Sequence, residues 1–358
     1  DVYKRQVEHE RVRLLRDTDG DGVADTSTVF ADGFSHPAMG IAAGILPVGD
    51  DVYYACIPDM WVLTDADGDG VAERRHSQHT GWGVHIALLG HDMHGLQRGP
   101  DGRLYWSIGD RGFHVEHEGR VHAHPHAGAV LRSELDGSNL EVFATGLRNP
   151  QELVFDDRGN LFTGDNNSDG GDRARWVYVV EGGEIGWRHA YQYITWPNLR
   201  GPWNAEKQWH PPHEGQPAFL LPPIANFTDG PSGLTYYPGT GWGPEWRGAF
   251  FLCDFRGQAS ISGVHSFRNA SRGAGFELVE PQRFLWNSLV TDVDFAPDGQ
   301  MYVSDWVSGW GMTGKGRIYR IAPGAAEFAD ERTELARLLG EGMGNRGVDE
   351  LAGLLGHG

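Results

Sequence analysis

Cysteine is scarce in this 358-residue sequence: Cys56 and Cys253 are its only two, and neither stands in a C-x-x-C-H haem attachment or a zinc-ligand pattern. The chain itself therefore carries no covalently attached haem and no cysteine-bound zinc. Both cysteines sit in apolar runs, "YACIPD" and "FLCDF", which predicts buried free thiols unless the fold brings them together. Long hydrophobic runs are missing too. None approaches the ~18–20 residues of a membrane span, so no membrane insertion is expected of this segment. No charged-then-apolar signal segment opens the sequence; "DVYKRQVEHERVRLL" begins abruptly in a strand-like stretch and reads as a truncated start. Positive charge is in deficit, with 30 Lys+Arg against 49 Asp+Glu and a formal net charge of −19. That balance argues against nucleic acid or an anionic membrane as a partner held by a basic patch, and suits cations better.

Helical patterns are few over most of the chain, whereas glycine (52), tryptophan (13) and phenylalanine (16) are plentiful. Many tight turns joining short aromatic strands give an all-β expectation. The stretch "DTDGDGVAD" at residues 17–25 returns as "DADGDGVAE" at residues 65–73, 48 positions later, each time after an alternating strand. A period of ~40–50 residues marks a propeller. Inside later units a second phrase recurs as "GPDGRLYWSIGD", "FDDRGNLFTGDN" and "FAPDGQMYVSDW", each a strand, a turn and a strand ending in Asp. An outer-strand remnant at about residues 7–32 precedes units near 36–85, 90–146, 148–225, 230–284 and 288–322. The expectation is a six-bladed β-propeller with an incomplete first blade over residues 1–323, then a tail over 324–358. In that tail Leu335, Leu338 and Leu339, then Leu351, Leu354 and Leu355, recur at helical spacing. It reads either as the start of a helical-repeat domain or as a helical tail.

Three clusters carry candidate chemistry. In the acidic loops Asp17, Asp19, Asp21 and Asp25 fall at positions 1, 3, 5 and 9 of a calcium loop, with Gly22 at 6. Asp65, Asp67, Asp69 and Glu73 repeat this with Gly70. The bidentate Glu at position 12 is missing, Thr28 and His76 standing there, so these are not EF-hands. They are either non-helical calcium turns or solvated acidic turns, and structural in both cases. The second cluster is "HDMHGLQRGPDGRLYWSIGDRGFH", in which His91 or His94 can meet Asp110 across a hairpin. A carboxylate that orients an imidazole is what a general base needs. In the third, Arg148 and Asn149 precede a strand, and Asp165, Asn166, Asn167, Asp169 and Asp172 crowd a Gly-rich loop. That density of oxygens fits a hard cation or an Asx-turn network.

Around these clusters "HGLQRGPDGRLYWSIGDRG", "GLRNPQELVFDDRGNLFTGDNNSDGGD" and "GGEIGWR" resemble the glucose/sorbosone dehydrogenase family, the soluble quinoprotein propellers. "RGPWNAEKQWHPPHEGQPAF", "DGPSGLTYYPGTG", "FFLCDFRGQAS" and "TDVDFAPDGQMYVSDW" bring the resemblance closer to the propeller of bacterial membrane-bound dehydrogenase, haem-binding C-x-x-C-H proteins. This resemblance implies oxidation of a sugar or polyol hydroxyl, with hydride passing to pyrroloquinoline quinone (PQQ) beside Ca²⁺ and electrons leaving to a cytochrome c-type domain. It also implies an extracytoplasmic location. The family's catalytic histidine falls on His94 or His91, its partner on Asp110, and its quinone contacts on Arg148, Asn149 and Gln151 of "RNPQ". Its calcium loop falls on Asn166, Asn167 and Ser168, where the usual Gly-Pro is replaced by Asn-Ser. Arg256, Lys315 and Arg317 are candidates for the clamp on the quinone carboxylates. The other reading is a propeller without redox chemistry that binds carbohydrate through Trp196, Trp203, Trp209 and His210 of the long insertion, or serves as an interaction module.

Overall fold

The computed structural model describes residues 10–36, 39–84, 90–167, 172–187, 221–239, 241–296, 299–311, 314–322, 328–344 and 346–354. Trp196, Trp203, Trp209 and His210, with Ser168, Asp169 and Leu355, lie outside them. Two compact units are present: residues 1–155 with 159–228, and residues 156–158 with 229–358.

The first unit begins with a two-stranded hairpin, β1 (Val12–Arg16) and β2 (Thr26–Ala31). Its turn is the first acidic loop. Strands β3 (Ala42–Val48), β4 (Asp51–Cys56), β5 (Asp59–Thr64) and β6 (Arg74–Thr80) form a four-stranded antiparallel sheet, and the second acidic loop turns β5 into β6. The next sheet is built on β7 (Met93–Arg98) and β8 (Leu104–Ile108). After the hairpin of β9 (Phe113–His117) and β10 (Arg120–His124) it continues through β11 (Gly128–Ser133) and β12 (Glu141–Leu147). A third sheet holds β13 (Pro150–Phe155), β14 (Leu161–Asp165) and β15 (Arg175–Val179). Short β16 (Gly183–Glu184) adds parallel to β12, and β17 (Ala225–Asn226) adds to β15.

Central strands are covered on both sides, which is why β8 ("LYWSI") and β14 ("LFTGD") are buried at every position. A strand enclosed on both faces reads as a continuous apolar run rather than an alternation. Tyr53, Met60, Val62 and Trp82 pack with Met93, Leu104 and Trp106 between the β3–β6 sheet and the sheet built on β7 and β8. Leu147, Leu153, Leu161 and Val177 do the same between that sheet and the third.

In the second unit β18 (Pro231–Tyr236), β19 (Ala249–Asp254), β20 (Gly263–Arg272) and β21 (Gly275–Trp286) make a four-stranded sheet. Strands β22 (Val290–Phe295), β23 (Met301–Asp305) and β24 (Arg317–Ile321) make a three-stranded one. An aromatic core of Tyr237, Trp242, Trp246, Phe251, Phe284 and Phe295 joins these two sheets. Helices α1 (Ala329–Glu341) and α2 (Val348–Leu354) occupy the tail in which the leucine spacing predicts them.

The fold is of the all-β propeller class, but the expectation of six blades is corrected. Five blade sheets are present among the described residues. The incomplete first blade is instead the β1–β2 hairpin, whose two strands pair only with each other among the described residues. Val12, Phe30 and Phe34 bury its inner side against Tyr54, Cys56 and Leu63 of the first four-stranded sheet, so it is an annex to that blade. Both cysteines are buried free thiols.

Candidate active site

Asp110, Asp165, Asp254 and Asp305 look alike in sequence, each closing a strand, and strand register separates them. Pro150 pairs with Asp165, Pro231 with Asp254 and Val290 with Asp305, so these three lie beside the first residue of an adjacent strand. Asp110 lies two residues beyond Ile108, the partner of Met93. Continuing that antiparallel register sets it across from His91.

His91 Nδ1 and Asp110 Oδ1 are 2.8 Å apart, with the imidazole 12% exposed and the carboxylate fully enclosed. The second carboxylate oxygen, Oδ2, accepts the indole N–H of Trp187 at 2.9 Å. The Asp110 amide donates to the Arg148 carbonyl at 2.7 Å, tying the loop to the start of β13. Gly109 is required here, because a Cβ at that position would sit 2.7 Å from the His91 carbonyl oxygen. Burial lowers the His91 pKa below the ordinary value of 6.5, partly opposed by the Asp110 hydrogen bond and reinforced by Arg148 and Arg111. The ring is thus neutral at neutral pH, with Nδ1 committed to Asp110 and Nε2 left as its basic nitrogen.

His94 is not part of this pair. It lies within β7, is 6% exposed, and donates from Nε2 to the Gly90 carbonyl at 3.0 Å. Burial pulls its pKa down to about 4, so it is a neutral core residue.

Arg148 and Asn149 lie together just before β13, both 1% exposed. Their backbone N–H groups donate to Asp165, at 2.9 Å from Arg148 and 2.8 Å from Asn149 to Oδ1. Asp165 Oδ2 also holds Arg175 Nη2 at 2.5 Å. Burial pushes the Asp165 carboxyl pKa up, and the Arg175 guanidinium and the two N–H donors pull against it. The guanidinium carbons of Arg148 and Arg175 lie 5.4 Å and 5.8 Å from the Trp187 ring centre, within cation–π range. Gln151 is half-buried on β13. The Asn149 side-chain Oδ1 is enclosed and has no hydrogen-bond partner among the described residues.

Asp92 is a buried carboxylate next to His91 that spacing arguments overlook, although it stands inside the "HDMH" phrase. It is 1% exposed, and neither carboxylate oxygen has a hydrogen-bond partner among the described residues. Burial raises its pKa from 3.8 to about 6; the charge of Arg111 opposes the rise and that of Asp110 adds to it. The folded protein thus keeps a proton that the unfolded chain has lost, and stability falls as pH climbs between those values. Asp92→Asn is expected to stabilise by about 2–3 kcal/mol near pH 8 and by much less near pH 4. Urea unfolding at the two pH values checks this, and an equal change at both would refute it.

The cation candidates fall in two groups. The carboxylates of Asp65, Asp67, Asp69 and Glu73 lie within 4.8 Å of one another, as do those of Asp17, Asp19 and Asp21. Both loops also cap their own backbone: Asp17 accepts from Gly20 and Gly22, and Asp65 from Gly68 and Gly70. Asp25 is outside its group and instead accepts from Thr18. Elsewhere, the Asn166 carbonyl accepts from Arg175 Nη2 at 3.0 Å, and Asn167 N–H donates to the Asn166 side chain at 2.8 Å. In the second unit Arg256 is held by Asp229 at 2.7 Å and Asp254 at 2.6 Å, while Lys315 and Arg317 are exposed.

A family model described as "Domain of unknown function (DUF7133)" matches residues 2–310. Quinoprotein glucose dehydrogenase B of Acinetobacter calcoaceticus is 28% identical over 130 residues, 29% of this chain and 27% of that protein, so the match spans little more than a quarter of the relative. A putative oxidoreductase (glucose dehydrogenase) of Thermus thermophilus matches in structure with a TM-score of 0.56 and 20% identity, covering 87% of this chain and 90% of that one. The PQQ-bound form of aldose sugar dehydrogenase from Streptomyces coelicolor gives 0.51 and 19%, over 84% and 85%. These structural likenesses bear out the propeller class of the quinoprotein glucose dehydrogenases that the sequence motifs resemble.

Proposed function

We propose, for a chain that belongs to the family described as Domain of unknown function (DUF7133), that its first unit carries the active site of a quinoprotein-type sugar or polyol dehydrogenase. The observation that carries the reading is the His91–Asp110 pair, with the imidazole 12% exposed and the carboxylate fully enclosed. A neutral imidazole with Nδ1 fixed is a base at Nε2. His91 Nε2 takes the proton of the substrate hydroxyl, and Asp110 stabilises the imidazolium that forms. Arg148, a buried cation beside the pair, favours negative charge developing on a neighbouring oxygen.

The residues at hand fit PQQ in part. Asn149 offers an enclosed side-chain oxygen with no partner among the described residues, and Arg148, Asn149 and Gln151 are the groups that would hold the cofactor. When bound, PQQ supplies the acceptor for the hydride lost from the substrate carbon. Arg256 is already engaged by two carboxylates, so the anchoring of the cofactor's carboxylates is not assigned to it. No helix among the described residues is long and apolar enough to cross a membrane. An extracytoplasmic site and a cytochrome c-type electron acceptor enter the proposal through the sequence resemblance alone.

Ca²⁺ enters at the two acidic turns as a structural ion, supported by like-charged carboxylates gathered within 4.8 Å. Saturating Ca²⁺ at ~100 Kd is expected to stabilise the protein by about 3 kcal/mol for each turn that binds it. Asp67→Ala should lose about half of the total gain, the share of its own turn, in a calcium titration followed by thermal melting. An equal response in both proteins would count against the assignment.

The function is tested by adding PQQ and Ca²⁺ to the purified chain and assaying dye reduction over a panel of aldoses and polyols. Turnover with at least one of them is expected. Sugar binding without turnover would favour the carbohydrate-binding reading.

A further inference from the structure

We infer that Trp187 is a positioning residue for His91, acting through Asp110; the inference rests on the dehydrogenase reading of the same site. The indole N–H donates to Asp110 Oδ2 at 2.9 Å while His91 Nδ1 occupies Oδ1 at 2.8 Å, so the fully enclosed carboxylate is gripped at both oxygens. A carboxylate bonded at one oxygen only is free to turn about its Cβ–Cγ bond. Gripped at two, it has one orientation, and that orientation sets the plane and tautomer of the imidazole.

The indole is itself fixed at several points. Trp187 is fully buried, and its backbone N–H donates to the Gly146 carbonyl at 2.8 Å. Just before it, Ile185 N–H donates to the Thr145 carbonyl at 3.0 Å, and the Glu184 carboxylate accepts from Thr145 Oγ1 at 3.0 Å and from Gly186 N–H at 2.8 Å. Gly146 has φ 81°, and a Cβ there would run into the Glu184 carboxylate and the amides of Ile185 and Gly186. The guanidinium groups of Arg148 and Arg175 lie against the ring. Two buried cations and two backbone bonds therefore hold the donor that holds the carboxylate.

The electrostatic consequence concerns the basicity of His91. A hydrogen bond to a carboxylate withdraws part of its charge and weakens its pull on a neighbouring proton. With the indole bond in place Asp110 stabilises the imidazolium less, and His91 stays neutral and ready to accept a proton. The charged and titratable groups around this pair are Asp110 itself, Arg148, Arg111, His94 and Asp92. Removing the indole N–H returns charge to Oδ2 and strengthens the pull of the carboxylate on the imidazolium.

Trp187→Phe keeps an aromatic ring and deletes the donor. The His91 pKa, read from the imidazole C2–H by NMR titration without added cofactor or sugar, is expected to rise by about half a pH unit or more. In the unsubstituted protein the Trp187 indole N–H resonance is expected to follow the same titration midpoint as His91, a measurement that survives even if the variant fails to fold. An unchanged His91 titration in a folded Trp187→Phe, or an indole resonance that stays flat through the His91 midpoint, overturns the inference. Both readouts are independent of turnover: a His91 shift in a protein that oxidises no sugar would sustain the positioning role and remove the dehydrogenase reading.

Discussion

His91→Gln is expected to lower PQQ-dependent oxidation of a sugar or polyol by about 10²–10⁴-fold, the range attributed to a positioned general base. Glutamine retains a polar group near Asp110 but has no nitrogen that accepts a proton at neutral pH. KM should change little, because the loss falls on proton transfer rather than on uniform binding. The pH profile provides a second check. His91 is depressed below the ordinary value of 6.5 by burial, so kcat/KM of the unsubstituted protein should hold as pH falls to that value and decline only below it. His94→Gln serves as the contrasting variant. It disturbs a buried hydrogen bond to Gly90, so the expected loss is in stability, with turnover largely retained. Equal losses of turnover in the two variants would remove the assignment of the base to His91.

Asp165→Asn is expected to destabilise the protein by about 3–5 kcal/mol, the usual consequence of breaking one side of a buried ion pair. Arg175 is 2% exposed and its guanidinium meets Asp165 at 2.5 Å, so neutralising the carboxylate removes the contacting counter-charge of a cation in the core. The same carboxylate accepts the N–H groups of Arg148 and Asn149, which couples folding to the placement of these two residues. Asp305→Asn is the comparison. Asp305 occupies the equivalent register position but is 7% exposed, accepts the Val307 N–H at 2.9 Å, and has the Tyr319 hydroxyl at 3.4 Å. Its replacement should cost about 1 kcal/mol. Thermal melting of the two variants checks the ranking, with a fall in Tm on the order of 10 °C for Asp165→Asn.

The blades are legible in the sequence because their turns repeat: the acidic loops and the D-G phrases mark hairpins at a regular period, and the observed sheets follow the expected unit boundaries. The blade count is misleading for a physical reason. Strands β1 and β2 carry the same turn chemistry as a blade hairpin, and local sequence does not reveal that among the described residues they pair only with each other. At the site, Asp110 and Arg148 are visible as motif residues, whereas the choice between His91 and His94 turns on strand register, which a spacing of three residues leaves open. Asp92 is hidden because it lies just before β7, where no strand alternation assigns it a side, and only the fold shows that it is buried. Arg175 does leave a trace, an arginine set between Ala174 and Trp176 in an apolar strand, a placement that implies a buried counter-charge. Trp187 lies within "GGEIGWR" and reads as a strand residue, because its role is defined by a partner 77 positions away.

The most direct measurement is anaerobic absorbance spectroscopy of the purified chain loaded with PQQ, before and after addition of an aldose or polyol. The spectrum of the oxidised quinone is expected to convert to that of the reduced form within a single turnover, and His91→Gln loaded in the same way to convert at least about 10²-fold more slowly. A bound quinone whose spectrum is unchanged by every sugar and polyol tried, or one reduced as fast by His91→Gln as by the unsubstituted protein, would contradict the assignment of His91 as the base of a quinoprotein dehydrogenase.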